Sequence, residues 1–290
     1  MNTQQKKWFY LTILAIVWGS SFILMKKALI GLTPIQLGAL RMLIAGVFLL
    51  LIGFKSLRKI QKRHWKHIVS TALLGTFIPV FLFAYAVNGI DSSIVSILNS
   101  TTPFNTFIVG FLVFGFTFKK RQLIGIFVGL IGTLILILKG ADLNPHQNYW
   151  YALLIAVASI GYAFNVNIVK KYLHDISALS IVAGNFLLLL IPSLIVLTYT
   201  GFFSTFELTD TNINSLGYIA ILAIVGTGAA KVFYNKMVHL ATPIFASSVT
   251  YLIPIVAVMW GVLDGEKLSV IQLLAGGIIL IGVYLVNKAK

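Results

Sequence analysis

A row of polar side chains lies within the apolar segment 92–115. Ser96, Asn99 and Pro103 follow one another at steps of three and four, which places them on one face of a helix. A second row, 151 residues later, consists of Ser247, Thr250 and Pro254. Each proline removes one backbone donor and frees the carbonyl group four residues earlier. Either neighbouring helices satisfy these polar groups or they line a wet cavity that can bind a polar solute, and their duplication favours the cavity.

Lys231 is a charged residue inside another apolar segment. Burying a lysine near the centre of a bilayer costs at least about 2.5 kcal/mol, so such a residue is expected to face a cavity or a partner. Thr227, Tyr234 and Asn235 lie three or four residues away on the same helical face. The pattern predicts an electrostatic contact for a carboxylate or phosphate of a ligand. The alternative is a side chain that extends to the lipid headgroups.

Two further basic residues lie near the ends of apolar segments. Arg41 is expected to have a structural role, because a planar guanidinium is well suited to bonding helix-end carbonyls or anchoring an interface. Lys26 is expected to cap the first segment at the interface rather than to bind a ligand.

Aromatic side chains also lie deep in the apolar segments, where they either line a pocket or pack in the core. Asn165 lies in an apolar segment as well and needs a polar partner. The deep aromatic residues and the polar rows together give the candidate substrate-binding set: Trp18, Ser21, Phe22, Phe77, Phe81, Tyr85, Ser96, Asn99, Tyr162, Asn165, Lys231, Tyr234, Thr250 and Tyr251.

The sequence contains no arrangement typical of catalysis or of a bound cofactor. Its 7 acidic residues and 5 histidines lie in loops or at segment ends, so none is placed to carry protons across a membrane. It has no Walker A motif, no His-Glu-x-x-His zinc motif, no nucleophile elbow and no cysteine. We therefore predict no catalytic residue, no metal, no cofactor and no enzymatic activity.

The composition indicates an integral membrane protein. Hydrophobic residues make up 59% of the chain and charged residues 10%, and the mean hydropathy is +0.96. Globular domains average about 25% charged residues. Apolar runs of about 18 or more residues follow one another, which favours α-helices over the strands of a barrel. The first run continues without a cleavage pattern and is expected to remain as a span.

Ten membrane-spanning helices with short connections are predicted. Their expected ranges are 9–30, 35–54, 67–88, 92–115, 121–139, 150–169, 177–199, 216–237, 243–263 and 269–287. With a cytoplasmic N-terminus, most of the 22 basic residues fall on the cytoplasmic side, so the positive-inside rule places both termini in the cytoplasm. The net charge of +15 is explained by these loops. We therefore expect a lipid bilayer around the protein and no nucleic acid partner.

The repeated rows divide the chain into two halves of five helices. Residues 1–139 form the first half, 140–149 a linker and 150–290 the second half. Further matches at the offset of 151 pair Gly75 with Gly226 and Thr76 with Thr227. Because five is odd, the second half enters the membrane upside down. The predicted fold is all-α, with ten transmembrane helices as two inverted five-helix repeats around a central cavity, which is typical of secondary transporters.

Three segments form a recognisable series. They read Trp18-Gly19-Ser20-Ser21-Phe22, Leu40-Arg41-Met42-Leu43-Ile44-Ala45 and Gly265-Glu266-Lys267-Leu268. In order and spacing they resemble the EamA-type family of the drug/metabolite transporter superfamily. The resemblance implies ten spans, a pseudosymmetric bundle and the export or import of small organic metabolites. Phe116 stands where Glu266 stands in the other half, so a mechanism that needs symmetric carboxylates is not supported.

Together these expectations describe a secondary transporter of small organic metabolites in the cell membrane that works by alternating access. The positive charges and polar rows favour an amino acid or a related carboxylate-bearing solute, and export is expected. The deep aromatic residues leave a multidrug exporter of hydrophobic cations as an alternative. The basic run 55–67 leaves a lipid-handling membrane protein as another. The sequence leaves the oligomeric state and the coupling ion open.

Overall fold

The computed structural model describes residues 2–117, 120–143, 148, 150–266 and 269–287, and the regular elements in these ranges are helical. The long helices are α1 Thr3–Ala28, α2 Pro34–Gly53, α3 Lys62–Gly89, α4 92–112, α5 Lys120–Leu143, α6 Tyr151–Tyr172, α7 Ala178–Tyr199, α8 Asp210–Leu240, α9 Pro243–Leu263 and α10 Val270–Asn287. Short helical turns at Phe54–Lys59 and Phe202–Thr205 follow α2 and α7. The predicted all-helical class is confirmed for this part of the chain.

The described helices identify a multi-pass membrane protein. Seven of the described helical segments are long and apolar enough to cross a membrane. Large apolar side chains cover the outside of the bundle, with Leu51 80%, Leu112 73% and Leu263 72% exposed. Lipid tails can cover such a surface, whereas water cannot do so without a large cost. The count of ten spans stays a prediction.

Helix starts are fixed by side-chain caps. Asn2 and Gln5 form a reciprocal capping box at α1, with both hydrogen bonds 2.8 Å long. Thr33 and Gln36 do the same at α2, where Pro34 occupies the first helical position. A capping box satisfies backbone donors that have no partner within the helix. These polar caps begin α1 several residues before the apolar run that marks it in the sequence.

Two helices contain a wider turn at matching places. α3 has a π-helical turn at Leu73–Phe77, and α8 has one at Leu222–Ala229. The turns hold the Gly75–Thr76 and Gly226–Thr227 pairs that match in the sequence. A π-turn interrupts the regular carbonyl ladder and often marks a functional position.

Helix pairing follows one pattern in both halves. α2 packs on α7 and α5 packs on α10. α1 packs on α9 just as α4 packs on α6, and α1 packs on α8 just as α6 packs on α3. Each helix of α1–α5 therefore has a counterpart in α6–α10. When every helix in one of these pairs is replaced by its counterpart, the result is again a pair that is in contact.

The two ends of the bundle differ in composition. The end formed by residues 54–61 and 173–177, here called the basic end, has Arg63 bonded to Asp175 at 2.6 Å. The opposite end, formed by residues 29–33 and 264–266, has Lys26 bonded to Asp264 at 2.8 Å.

Some positions named by the sequence analysis or expected in loops lie outside the described residues. They are Lys119, Lys267, Lys288, Lys290 and the linker positions 144–147.

Glycines allow α5 and α10 to touch backbone to backbone. A Cβ atom at Gly282 would lie 2.6 Å from both the Gly125 carbonyl oxygen and the Gly129 amide nitrogen. Close approach of this kind is typical of helix pairs in membranes. At Gly276, by contrast, a Cβ atom would meet nothing within 4 Å. The spacing of the glycines in the sequence predicts close helix packing at both positions. In the structure, only Gly282 of these two lies against a neighbouring helix.

We expect Gly282→Ala to lower the apparent melting temperature of the detergent-solubilised protein by about 3 °C or more, because the added methyl group must push two helices apart. Gly276→Ala is the matched control in the same helix. It should leave the melting temperature unchanged or raise it, since alanine favours a helix over glycine. Equal effects of the two substitutions would contradict the described α5–α10 contact.

Candidate functional site

A cavity of about 100 Å³ lies in the middle of the bundle, between α1, α2, α3, α4, α6, α8 and α9. Nine of the predicted binding residues line it: Trp18, Ser21, Phe22, Asn99, Tyr162, Asn165, Lys231, Tyr234 and Thr250. The wall also contains residues that sequence reasoning missed as ligand contacts: Met25, Arg41, Gly75, Val80, Phe83, Thr102, Gly226, Thr227, Val249 and Ile253. Both halves of the chain therefore contribute to one cavity.

Five predicted residues lie away from the cavity wall. Phe77 and Phe81 contact each other edge to face, with ring centroids 5.0 Å apart, and both pack against apolar side chains. Tyr85 is half-buried further along α3. The Ser96 hydroxyl donates to the Ser93 carbonyl within its own helix at 2.6 Å. Tyr251 is buried in a separate apolar cluster.

Lys231 reaches across the cavity from α8 to the π-turn of α3. Its ammonium donates to the Gly75 carbonyl oxygen and, at 2.7 Å, to the Thr76 hydroxyl. The π-turn interrupts the regular carbonyl ladder of α3, and the Gly75 carbonyl within it accepts the bond from this cation. The side chain therefore points into the protein, and the alternative of a lysine that extends to the headgroups is not what the structure shows.

Arg41 reaches the corresponding turn of α8 from α2. Its Nε donates to the Thr227 hydroxyl at 2.6 Å, and its Nη1 lies 3.7 Å from the Met25 sulfur. The expected bonds to helix-end carbonyls are not formed among the described residues, so that part of the prediction is wrong. The nearby Gly226 carbonyl accepts a hydrogen bond from Trp18 Nε1 at 2.9 Å. Each π-turn thus positions one cation at the cavity.

Neither cavity cation has a carboxylate partner in the part of the chain that the structure describes. The ion pairs described there lie at the two ends of the bundle, where Asp175 pairs at the basic end and Asp264 and Glu266 at the other. Two positive groups buried without an anion are costly, because a low-dielectric surrounding does not solvate them as water does. The cavity is therefore electrostatically suited to an anionic group.

Aromatic rings and polar groups complete the wall. Phe83 lies between Phe22 and Tyr162, with ring centroids 6.0 Å and 5.8 Å apart, and Trp18 lies 5.2 Å from Tyr234. Such rings can cover the apolar part of a ligand. On the polar side, the wall contains three residues of the predicted set: Asn99, Asn165 and Thr250. The Thr250 hydroxyl donates to the Ser247 carbonyl at 2.9 Å, so toward the cavity it can only accept. The site combines positive charge, amide and hydroxyl groups and an aromatic face.

Arg41 and the residues of the π-turns carried signals that the sequence already displayed. Arg41 is a charged residue in an apolar segment, as Lys231 is. Gly75 and Thr76 repeat as Gly226 and Thr227 at the offset of 151. Periodicity alone does not reveal which helix an arginine will face. That Arg41 contacts the second Gly-Thr pair could therefore be recognised only from the packing of the helices.

Comparison with known proteins assigns the chain to a family. It is 30% identical to the uncharacterized inner membrane transporter YedA of Escherichia coli strain K12, over 96% of this chain and 89% of that protein. It is 24% identical to a probable amino-acid metabolite efflux pump of Salmonella typhimurium, over 97% and 94% of the two chains. It is 22% identical to an S-adenosylmethionine/S-adenosylhomocysteine transporter of Chlamydia muridarum, over 96% and 90%.

A solved crystal structure shares the fold, with a TM-score of 0.67, 15% identity and coverage of 96% of this chain and 94% of that one. The profile of the EamA-like transporter family matches twice, at residues 6–138 and 149–288. These matches cover nearly the whole chain, which therefore belongs to the EamA-like transporter family and is a membrane transporter.

Proposed function

We propose that this protein is a secondary transporter that exports amino acids or related carboxylate-bearing metabolites by alternating access. The observation that carries the proposal is the pair of buried cations, Arg41 and Lys231, that line one cavity without a described carboxylate partner. A substrate carboxylate would supply the missing negative charge and accept charge-assisted hydrogen bonds from both. The cations would then be neutralised only while substrate is bound.

The proposed architecture consists of ten spans arranged as two inverted repeats, residues 1–139 and 150–290, joined by a linker at 140–149. The double family match and the exchangeable helix pairs both support this arrangement. The two π-turns, one in each half, support it further. The proposal places the protein in the cell membrane, with both termini and the basic end in the cytoplasm.

Each part of the wall has a proposed role. Lys231 and Arg41 hold the substrate carboxylate, and the amides of Asn99 and Asn165 bond an ammonium or another polar group. Trp18, Phe22, Phe83, Tyr162 and Tyr234 cover the rest of the solute. Relatives named as an amino-acid metabolite efflux pump and an S-adenosylmethionine/S-adenosylhomocysteine transporter support solutes of this class.

The aromatic wall keeps an exporter of hydrophobic cations as the second candidate, because rings attract cations through their faces. Two positive side chains in the same cavity oppose it, since like charges repel strongly at low dielectric. A lipid-handling role for the basic run 55–67 has less support, because Arg63 and His64 are both bonded to Asp175.

Substitution of Lys231 tests the anion site. Screening amino acids, nucleosides, sugar phosphates and cationic dyes should show a rise in melting temperature with carboxylate-bearing solutes, because a ligand that binds only the folded state stabilises it. Lys231→Ala should abolish that rise. Lys170→Ala is the matched control, since Lys170 bonds backbone carbonyls of α8 away from the cavity. Stabilisation by cationic dyes alone, unaffected by Lys231→Ala, would favour the second candidate.

Arg41 should contribute separately to affinity. Removing one partner of a buried charge pair costs about 2 kcal/mol or more, so we expect Arg41→Gln to raise the dissociation constant of the best solute about 30-fold. Arg41→Lys should lie between, because it keeps the charge but loses the planar group that bonds Thr227. Isothermal titration of the purified variants measures this. Affinity that is unchanged in Arg41→Gln would remove Arg41 from the proposed site.

A further inference from the structure

An ionic junction lies at the end of the bundle opposite the basic end. Lys26 at the end of α1 lies 2.8 Å from an oxygen of Asp264 and 2.9 Å from an oxygen of Glu266, both of which follow α9. Lys27 forms a further ion pair with Asp264. The two lysines therefore tie the end of α1 to the segment that follows α9.

Glu266 also ties this junction to the start of α4. Its side chain is only 3% exposed, and it accepts hydrogen bonds from the Ser92 hydroxyl at 2.7 Å, the Ser93 amide at 3.2 Å and the Ser93 hydroxyl. Burial would raise the pKa of Glu266, but the bonds from Ser93, Lys26 and Ser92 outweigh it, so the pKa lies below its ordinary value. The carboxylate is thus charged at neutral pH and links three elements.

A related junction without a carboxylate occurs at the basic end. α6 also ends in two lysines, and Lys171 donates to the Phe114 carbonyl oxygen at 2.9 Å, just after α4. The chain turns through Gly115, with a φ of 69°, as it turns through Gly265 after α9, with a φ of 86°. Where Glu266 follows the second turn, Phe116 follows the first. The two junctions are related by exchange of the halves, but only one is ionic.

These junctions join helices that also line the cavity. α1 contributes Trp18 and Ser21, and α9 contributes Thr250 and Ile253. α4 and α6, the pair at the basic end, contribute Asn99 and Tyr162. Separation of α1 from α9 at the Glu266 junction would therefore open the cavity at that end, and separation of α4 from α6 at the Lys171 junction would open it at the other.

We propose that the Glu266 junction is an ionic latch that keeps its end of the cavity closed at rest, and that the weaker Lys171 junction opens more readily. The proposal rests on alternating access, which requires one end to stay closed while the other opens. At the Glu266 junction Lys26 bonds a carboxylate of full opposite charge, whereas Lys171 bonds an uncharged carbonyl oxygen, so the asymmetry favours the state open toward the basic end. A resting state of this kind would receive substrate from the cytoplasm, as an exporter must.

The latch can be tested by the accessibility of a cysteine in the cavity. The chain contains no cysteine, so Ser21→Cys supplies a unique reporter. Its labelling rate with a membrane-impermeant charged maleimide is measured in right-side-out and in inverted vesicles. Adding Glu266→Gln should raise the rate about tenfold in right-side-out vesicles, because the closed state loses its ionic bonds. Lys26→Met removes the same pair from the other side and should act in the same direction.

Asp175→Asn is the matched control, because it removes an ionic contact at the basic end and should not raise labelling in right-side-out vesicles. The melting temperature of each variant shows whether it is folded. If Glu266→Gln does not fold, the labelling rate of Lys26→Met alone tests the latch. Unchanged rates in the folded latch variants, or an equal rise with Asp175→Asn, would overturn the latch. A rise confined to inverted vesicles would support the latch but overturn the proposed orientation. No substrate is used, so the outcome is independent of the anion site.

Discussion

Two widened helical turns within the membrane-spanning bundle set the position of both cavity cations. The Gly75 carbonyl and the Thr76 hydroxyl of α3 accept hydrogen bonds from Lys231, and the Thr227 hydroxyl of α8 accepts one from Arg41. Where lipid excludes water, a turn that interrupts the helical ladder persists only if protein groups bond its carbonyls. In α3 the contact that bonds the Gly75 carbonyl also holds the Lys231 charge in the cavity. In α8 the two tasks are divided, since Trp18 bonds the Gly226 carbonyl and Arg41 bonds the Thr227 hydroxyl.

Much of the fold follows from the sequence because a bilayer leaves the backbone few alternatives. Long apolar runs must become helices that satisfy their own backbone groups, and the predicted span 243–263 coincides with α9. Two predicted spans, 9–30 and 92–115, run past the helix ends at Ala28 and Leu112, the latter because the chain turns through Gly115. Other deviations lie in polar extensions. α1 begins at Thr3 rather than near position 9, because the Asn2–Gln5 capping box continues the helix beyond its apolar part. Hydropathy does not register such turns, since their residues are polar.

The site was less predictable because an apolar helix does not reveal which of its faces meets protein. Phe81 and Tyr251 have the same character as Phe22 and Tyr162, yet the former two pack in the core and the latter two line the cavity. Lys231 was predictable, since a charge in an apolar segment must find a partner. Its partners were not, because hydrogen bonds between helices far apart in sequence depend on packing that periodicity does not encode.

Duplication explains the shape of the site but not its chemistry. The position that matches Lys231 in the first half is Val80, and both side chains line the cavity, so equivalent places carry a cation in one half and an apolar group in the other. The position that matches Glu266 is Phe116, so the junction there contains a lysine but no carboxylate. A symmetric frame allows two equivalent states of similar geometry. At each of these matched positions the charge occurs in one half only, and under the proposed mechanism that difference gives the two states different energies.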